Sequence, residues 1–239
     1  MKKIIVYGKQ TINEILKTKK REIFTVITDN EIKLENLKKN YDIKCPCKVL
    51  GNKKIQKLLN KNTNDHQGYL AEVSYNKSIN CTEPKTILIL DNVNNQGNIG
   101  SIIRSSVAFQ VDKIILNKRF YSDIQTIFKV ASGATEWVDI MPVSNISNEI
   151  IKLRKDFIIY SITNNSKNSI ETFKFDFNQK MAFVFGSESE GISKNILKKT
   201  DDSIKISIKS IESLNVSNAV SAFFSVYNYC KFNSLNSLK

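Results

Sequence analysis

Histidine is almost missing from this sequence: His66 is the only one in 239 residues. A single imidazole leaves little scope for a Ser-His-Asp triad and none for a His-rich metal centre. Cysteine is scarce as well. Cys45, Cys47, Cys81 and Cys230 do not suggest a disulfide framework in a chain of this size. Cys45-Pro46-Cys47 has no second pair at zinc spacing, so no metal is expected. No apolar run approaches the ~20 residues that a membrane span needs. The start, Met1-Lys2-Lys3 and then Ile4–Val6, is charged, but its apolar stretch is too short for a signal peptide. Acidic residues are outnumbered, 23 against 36 Lys and Arg, for a formal net charge of +13. These absences leave a reduced, basic, cytoplasmic protein. Such a charge suits a polyanion, nucleic acid first and an anionic membrane surface second. An AT-rich genome, which favours Lys, Asn and Ile codons, is the competing source of the excess. A lipid surface would need a basic amphipathic helix with Trp or Phe on one face, and none is found, so no membrane partner is expected.

The charge is uneven. Residues 1–75 hold 16 basic and 8 acidic side chains; residues 76–239 hold 20 and 15. Residues 1–75 read as a small α/β unit: strands at Ile4–Val6, Phe24–Ile27, Cys47–Leu50 and Tyr69–Ser74, with helical spacing over Thr11–Lys17, Glu31–Asn40 and Lys53–Asn60. Residues 76–85 are polar, contain Pro84 and lack periodicity, as a linker does. From residue 86 the pattern changes. Ile87–Leu90, Lys113–Leu116, Phe157–Ser161, Met181–Phe185 and Ile204–Ile208 are continuous apolar runs, with helix-compatible segments such as Ile99–Phe109, Asp123–Ser132 and Ile146–Lys155 between most of them. Strands that do not alternate are buried on both faces, which predicts an α/β domain with a parallel sheet over 86–239. The last helix, about Asn215–Lys231, is apolar around most of its circumference and is expected to be buried on more than one side.

Three segments in this second part carry chemistry. Asn94-Asn95-Gln96-Gly97-Asn98-Ile99-Gly100 follows a strand and opens a helix that holds Arg104; a glycine-bearing helix start suits an anion, and a plain turn with a solvated Arg fits equally. Phe185-Gly186-Ser187-Glu188-Ser189-Glu190-Gly191 sits at a strand's carboxyl end, where open α/β sheets bind small molecules; Ser187 or Ser193 as a helix cap is the simpler explanation. In Ser213-Leu214-Asn215-Val216 a strand and loop lead into the final helix, again with capping residues at hand.

Together, in this order, the three segments resemble the motifs of the SPOUT-class RNA 2′-O-ribose methyltransferases of the SpoU/TrmH family. The matches are Asn98, Gly100 and Arg104; then Gly186, Ser187, Glu188 and Gly191; then Ser213, Leu214, Asn215 and Val216. The resemblance covers about residues 85–232. Val6-Tyr7-Gly8 and His66-Gln67-Gly68 extend it to the family's small RNA-binding domain. The arrangement is most similar to the bacterial type that methylates a guanosine 2′-hydroxyl in large-subunit ribosomal RNA. The sequence departs from the family pattern at Gln96 (usually Pro), Gln110 (usually Gly) and Ser207 (usually Pro), and the loop from Ile206 to Ser213 is one residue short.

The resemblance implies a C-terminal trefoil knot, S-adenosylmethionine as methyl donor, no metal, and a homodimer with sites at its interface. It places backbone groups near Gly186, Ile206 and Leu214 around the adenosyl moiety. It makes Arg104, Asn98, Glu188, Ser213 and Asn215 the catalytic set, with Arg104 either taking the 2′-hydroxyl proton or binding the RNA phosphate. A guanidinium is a poor base, and the sequence leaves both roles open. His66 reads as structural or as an exposed RNA contact. The clusters Lys17, Lys19, Lys20, Arg21 and Lys53, Lys54, Lys57 face either solvent or phosphate. Besides ribosomal RNA methylation, two readings stand: a transfer-RNA substrate for the same chemistry, or an inactive RNA-binding assembly factor.

Overall fold

Two sheets form within the residues that the computed structural model describes, 2–75 and 81–236. Of the expected linker, 76–80 lies outside the described residues. The first sheet uses β1 (Lys3–Tyr7), β2 (Ile23–Thr28), β3 (Cys47–Val49) and β4 (Tyr69–Ser74), in the order β1-β4-β2-β3. β4 runs antiparallel to β1 and β2, whereas β3 is parallel to β2. Three helices accompany it: α1 (Lys9–Thr18), α2 (Glu31–Asn40) and α3 (Asn52–Leu59). The spacing of Ile12, Ile15 and Leu16 puts them on one face of α1, and all three are buried. Asn30 starts α2 by accepting the Lys33 amide at 3.0 Å.

The second sheet has six strands. In chain order the elements are β5 (Thr86–Leu90), α4 (Gln96–Ala108), β6 (Lys113–Asn117), α5 (Ile124–Ala131), β7 (Asp139–Val143), α6 (Ile146–Leu153), β8 (Phe157–Ile162), β9 (Lys180–Phe185), α7 (Lys194–Leu197), β10 (Asp202–Ile204) and α8 (Val216–Asn236). The order is β10-β8-β9-β5-β6-β7 and every pairing is parallel. All five residues of β5 and the last five of β9 are buried, as continuous apolar strands covered on both faces should be. Between β9 and α8 lies an aromatic cluster in which Phe183 sits 4.9 Å from Phe223 and 5.1 Å from Tyr227. Phe175 adds an edge contact to Tyr227 at 5.0 Å. Among the described residues no helix is long and apolar enough to cross a membrane.

Two strands differ from the sequence expectation. β7 was not expected, because Pro142 interrupts the apolar residues of Asp139-Ile140-Met141-Pro142-Val143; it is an edge strand, where proline is tolerated. The final strand was expected over Ile204–Ile208 but is Asp202–Ile204. Ile206 and Ile208 wall a cleft instead of pairing, so their apolar character comes from that wall and not from a sheet.

Packing divides the chain into two compact units, and Asp123–Trp137 belongs with the first, not with the residues on either side of it. Phe128 of α5 is buried with Val6, Ile12 and Leu16, and its carbonyl accepts the Thr11 hydroxyl at 3.0 Å. A buried ion pair fixes this placement. Arg21, 4% exposed, donates Nε to Glu136 Oε1 at 2.8 Å, and Glu136 is fully buried. Arg21 Nη1 is taken by the Ser74 and Tyr75 carbonyls, and Thr135 donates its hydroxyl to Glu136 Oε1 at 3.1 Å. Arg21 is therefore a structural cation, not the solvated or phosphate-facing member of the Lys17–Arg21 cluster that the sequence suggested.

α4 ends in a paired-bond cap. The Val111 amide reaches the Ser106 carbonyl at 2.9 Å and the Gln110 amide reaches Val107 at 3.2 Å, which is the Schellman pattern. The residue between helix and exit must be left-handed, and Gln110 is, with φ of 56°. A glycine would adopt this conformation without the Cβ penalty. Replacing it, Gln110→Gly, is expected to raise stability by about 1 kcal/mol, read as a higher midpoint of urea unfolding. Glu136→Ala strands a buried guanidinium and is expected to cost about 3–5 kcal/mol in the same measurement.

Candidate active site

The carboxyl ends of β8 and β9 and the chain leaving β10 enclose a cleft of about 310 Å³, at the end of a parallel sheet where ligands of open α/β folds bind. Gly186, Ile206, Leu214 and Ser213 all line it. Thr163, Asn164 and Asn165, just beyond β8, line it too. The sequence reading missed those three, although their place after an apolar strand is the signal that found Gly186.

Three of the five expected catalytic side chains converge at its mouth. Glu188 Oε1 accepts Asn98 Nδ2 at 2.8 Å and Asn215 Nδ2 at 2.6 Å. Asn215 Nδ2 also lies 3.2 Å from Asn98 Oδ1, and the Val216 amide points at the same carboxylate oxygen at 3.5 Å. Helix starts make this possible. Asn95 caps α4 by accepting the Asn98 amide at 2.9 Å, which leaves the Asn98 side chain free to turn outward. Asn215 caps α8 with Oδ1, accepting the Ser217 amide at 2.9 Å and the Ser217 hydroxyl at 2.6 Å, while its Nδ2 serves Glu188. Capping and site-building thus use opposite ends of one amide. A carboxylate at the first turn of α8 also meets the positive end of the helix dipole.

The loops that carry these residues are tightly closed. Gly191 has φ of 65°, and its amide returns to the Ser187 carbonyl at 2.9 Å. At Gly186 a Cβ would lie 2.0 Å from the Gly191 carbonyl carbon, so only glycine permits this approach. Asp91, buried at the end of β5, accepts the Ser193 amide at 2.8 Å and donates its own to the Phe185 carbonyl at 2.8 Å; it holds both ends of the loop. On the opposite wall, Ser207 donates its hydroxyl to Glu171 Oε2 at 2.9 Å, with its amide 3.3 Å from Oε1. Burial would raise the Glu171 pKa, but hydrogen bonds from Ser169, its own backbone and Ser207 outweigh it and hold the carboxyl below its ordinary value. This tether carries Ile206 and Ile208 into the cleft wall.

Arg104 and Ser213 stand apart from the network. Ser213 is exposed on the cleft lip and no hydrogen bond ties it to Glu188, Asn98 or Asn215. Arg104 is exposed on α4 and lines neither this cleft nor the neighbouring 250 Å³ hollow around Asn94, Asn98 and Glu188. Six residues along a helix put it about 9 Å beyond Asn98 on a different face. Among the described residues no group of His, Cys, Asp and Glu could hold a metal ion.

The model of the SpoU rRNA Methylase family matches residues 85–225, the whole stretch that builds this cleft. The chain belongs to that family. A Staphylococcus saprophyticus protein described as a TrmH family tRNA/rRNA methyltransferase is 35% identical over 138 residues, 57% of this chain. The match spans only 55% of that relative's length. A Borreliella burgdorferi protein, described as an uncharacterized tRNA/rRNA methyltransferase, is 31% identical over 203 residues, covering 77% of this chain and 86% of the other. Among solved structures, the SpoU methyltransferase AviRb of Streptomyces viridochromogenes in complex with AdoMet superimposes with a TM-score of 0.78 at 17% identity, over 96% of this chain and 91% of that one. That likeness is one of fold.

Gly186→Ala forces the loop open against backbone that cannot give way. An overpacked site of this kind is expected to cost about 1–3 kcal/mol, measured as a fall in the urea midpoint.

Proposed function

We propose that this SpoU-family chain transfers a methyl group from S-adenosylmethionine to a ribose 2′-hydroxyl, of a guanosine in large-subunit ribosomal RNA, as a cytoplasmic homodimer. The observation that carries the reading is the convergence of Asn98, Glu188 and Asn215 at the mouth of a cleft lined by Gly186, Ile206 and Leu214. The cleft suits the donor. Its volume lies in the range of small-molecule sites, about 300–1,000 Å³, its walls are apolar at Ile206 and Leu214, and at Gly186 no Cβ intrudes on the backbone. In this reading the segments holding Gly186 and Ser213–Val216 form the trefoil knot.

S-adenosylmethionine, when bound, supplies a methyl group made electrophilic by a sulfonium. The residues need only align the attacking oxygen, since a neutral thioether leaves without acid and the 2′-hydroxyl proton passes to water at the exposed mouth of the cleft. Gly186, Ile206 and Leu214 bind the adenosyl part through backbone groups and apolar contact. Asn98, Glu188 and Asn215 fix the three loops around the mouth, and the Ser213 hydroxyl on the lip orients the ribose. Arg104 comes from a second copy of the chain, binds the phosphate beside the target ribose and orients the 2′-hydroxyl; a guanidinium keeps its proton and serves better as an anchor than as a base. Its exposure away from its own cleft supports that assignment. So does the neighbourhood of α4: α8 packs on it, Ser105 Oγ lies 2.7 Å from Ser221 Oγ, and α8 leaves Tyr229 and Phe232 exposed.

Purified chain, unmodified ribosomal RNA and methyl-labelled S-adenosylmethionine test this, with the product nucleoside identified by mass spectrometry. Labelled 2′-O-methylguanosine in large-subunit RNA is the expected product. Label on transfer RNA alone replaces the substrate, and no label on any RNA overturns the activity. Arg104→Ala is expected to lower transfer by about 10²-fold with donor binding by calorimetry unchanged. Mixing Arg104→Ala with Asn215→Ala chains is expected to restore part of the activity, because one site of the mixed dimer then has both residues.

A further inference from the structure

Trp137 is the only tryptophan of the chain, and it is 51% exposed. It belongs to the first unit, at the end of the segment that Arg21 and Glu136 hold in place. The indole is not loose. Its Nε1 donates to Glu14 Oε2 at 2.9 Å, and the other oxygen of Glu14 accepts Gln10 Nε2 at 3.2 Å. Lys20 lies 4.6 Å from the ring centroid and donates Nζ to the Glu136 carbonyl at 2.7 Å. Lys17, in the last turn of α1, lies 5.8 Å from the ring. Lys17 and Lys19 are exposed. The acids beside the ring are already engaged: both oxygens of Glu14 are bonded, and Glu136 is buried against Arg21.

A large apolar ring held rigid in water with two ammonium groups within 6 Å of its centroid has the composition of a stacking platform. Proteins that bind single-stranded nucleic acid stack bases on aromatic faces and track the backbone with basic groups. We infer that Trp137 stacks one unpaired base of the RNA substrate, with the exposed Lys17 taking an adjoining phosphate. The inference rests on the RNA-modifying reading above and adds a site to it that is separate from the methyl-transfer cleft. Fixing the indole through Glu14 lowers the ordering cost of each encounter. Bases inside a duplex are already stacked, so the platform selects a single-stranded stretch.

The lone indole makes the test direct. The full-length chain is titrated with a short fluorescein-labelled oligoadenylate, and binding is followed by anisotropy while Trp137 emission is read in parallel with the unlabelled strand. Emission is expected to be quenched with the same midpoint as the anisotropy rise. Trp137→Ala is expected to weaken binding about 5- to 150-fold, and Trp137→Phe far less, since a smaller ring still stacks. Lys17→Ala, a surface change that leaves the indole in place, is expected to lower the slope of log affinity against log salt by about one. The far-UV circular dichroism of each variant is expected to match that of the parent. Binding without quenching, or Trp137→Ala binding as tightly as the parent, overturns the platform and leaves the RNA reading standing. Equal quenching by the oligoadenylate paired in a duplex overturns the unpaired-base assignment. Failure to bind any RNA overturns both.

Discussion

One carboxylate oxygen organises the candidate site. Glu188 Oε1 receives Asn98 from the start of α4, Asn215 from the start of α8, and points at the Val216 amide. Those residues are 90 and 27 positions away in the chain. The carboxylate is exposed, so the contribution of these bonds to stability is screened by water; what they fix is position. Its own place depends on the return of the chain from Ser187 to Gly191, which is possible only because Gly186 lacks a Cβ. A loop closed by backbone contact, a carboxylate on that loop and two helix starts that converge on it therefore form one device.

The parallel sheet was legible because burial on both faces writes itself as a continuous apolar run, and Ile87–Leu90 and Met181–Phe185 are such runs. The cleft was legible in part for the same reason, since Gly186 follows one of those runs directly. The run at Ile204–Ile208 misled, because apolar residues are also what a ligand wall needs, and hydropathy cannot separate a wall from a strand. β7 was hidden by Asp139 and Pro142, both tolerated at a sheet edge. The convergence of Asn98, Glu188 and Asn215 came from motif order alone: spacing shows a capping residue, but not that the other end of its amide reaches across the fold. The placement of Asp123–Trp137 with the first unit had no local signature, because an amphipathic helix looks the same whichever core it joins.

The three departures from the family pattern each have a local physical account. Gln96 occupies the first position of α4, where proline is favoured because its missing N–H has no intrahelical partner; a glutamine starts the helix with Asn95 as cap. Gln110 accepts a left-handed backbone that glycine would adopt without strain. Ser207 keeps the N–H that proline lacks and directs it, with its hydroxyl, at Glu171. None of the three removes a side chain from the Glu188 network. The changes fall on the supports of the site and not on the groups that face the cleft.

Net charge is a coarse guide to partners, and the first unit shows why. Arg21 counts toward the basic excess yet is buried and neutralised by Glu136, so it presents nothing to a polyanion. Lys61 is likewise paired with Asp123 at 3.1 Å. Lys17 and Lys19 point outward, and a phosphate can meet only such groups. The argument from charge to nucleic acid therefore rests on which ammonium groups remain at the surface, and next to what. In this unit the buried cation still contributes indirectly: by holding Glu136 it fixes the segment whose last residue, Trp137, stands beside the exposed Lys17.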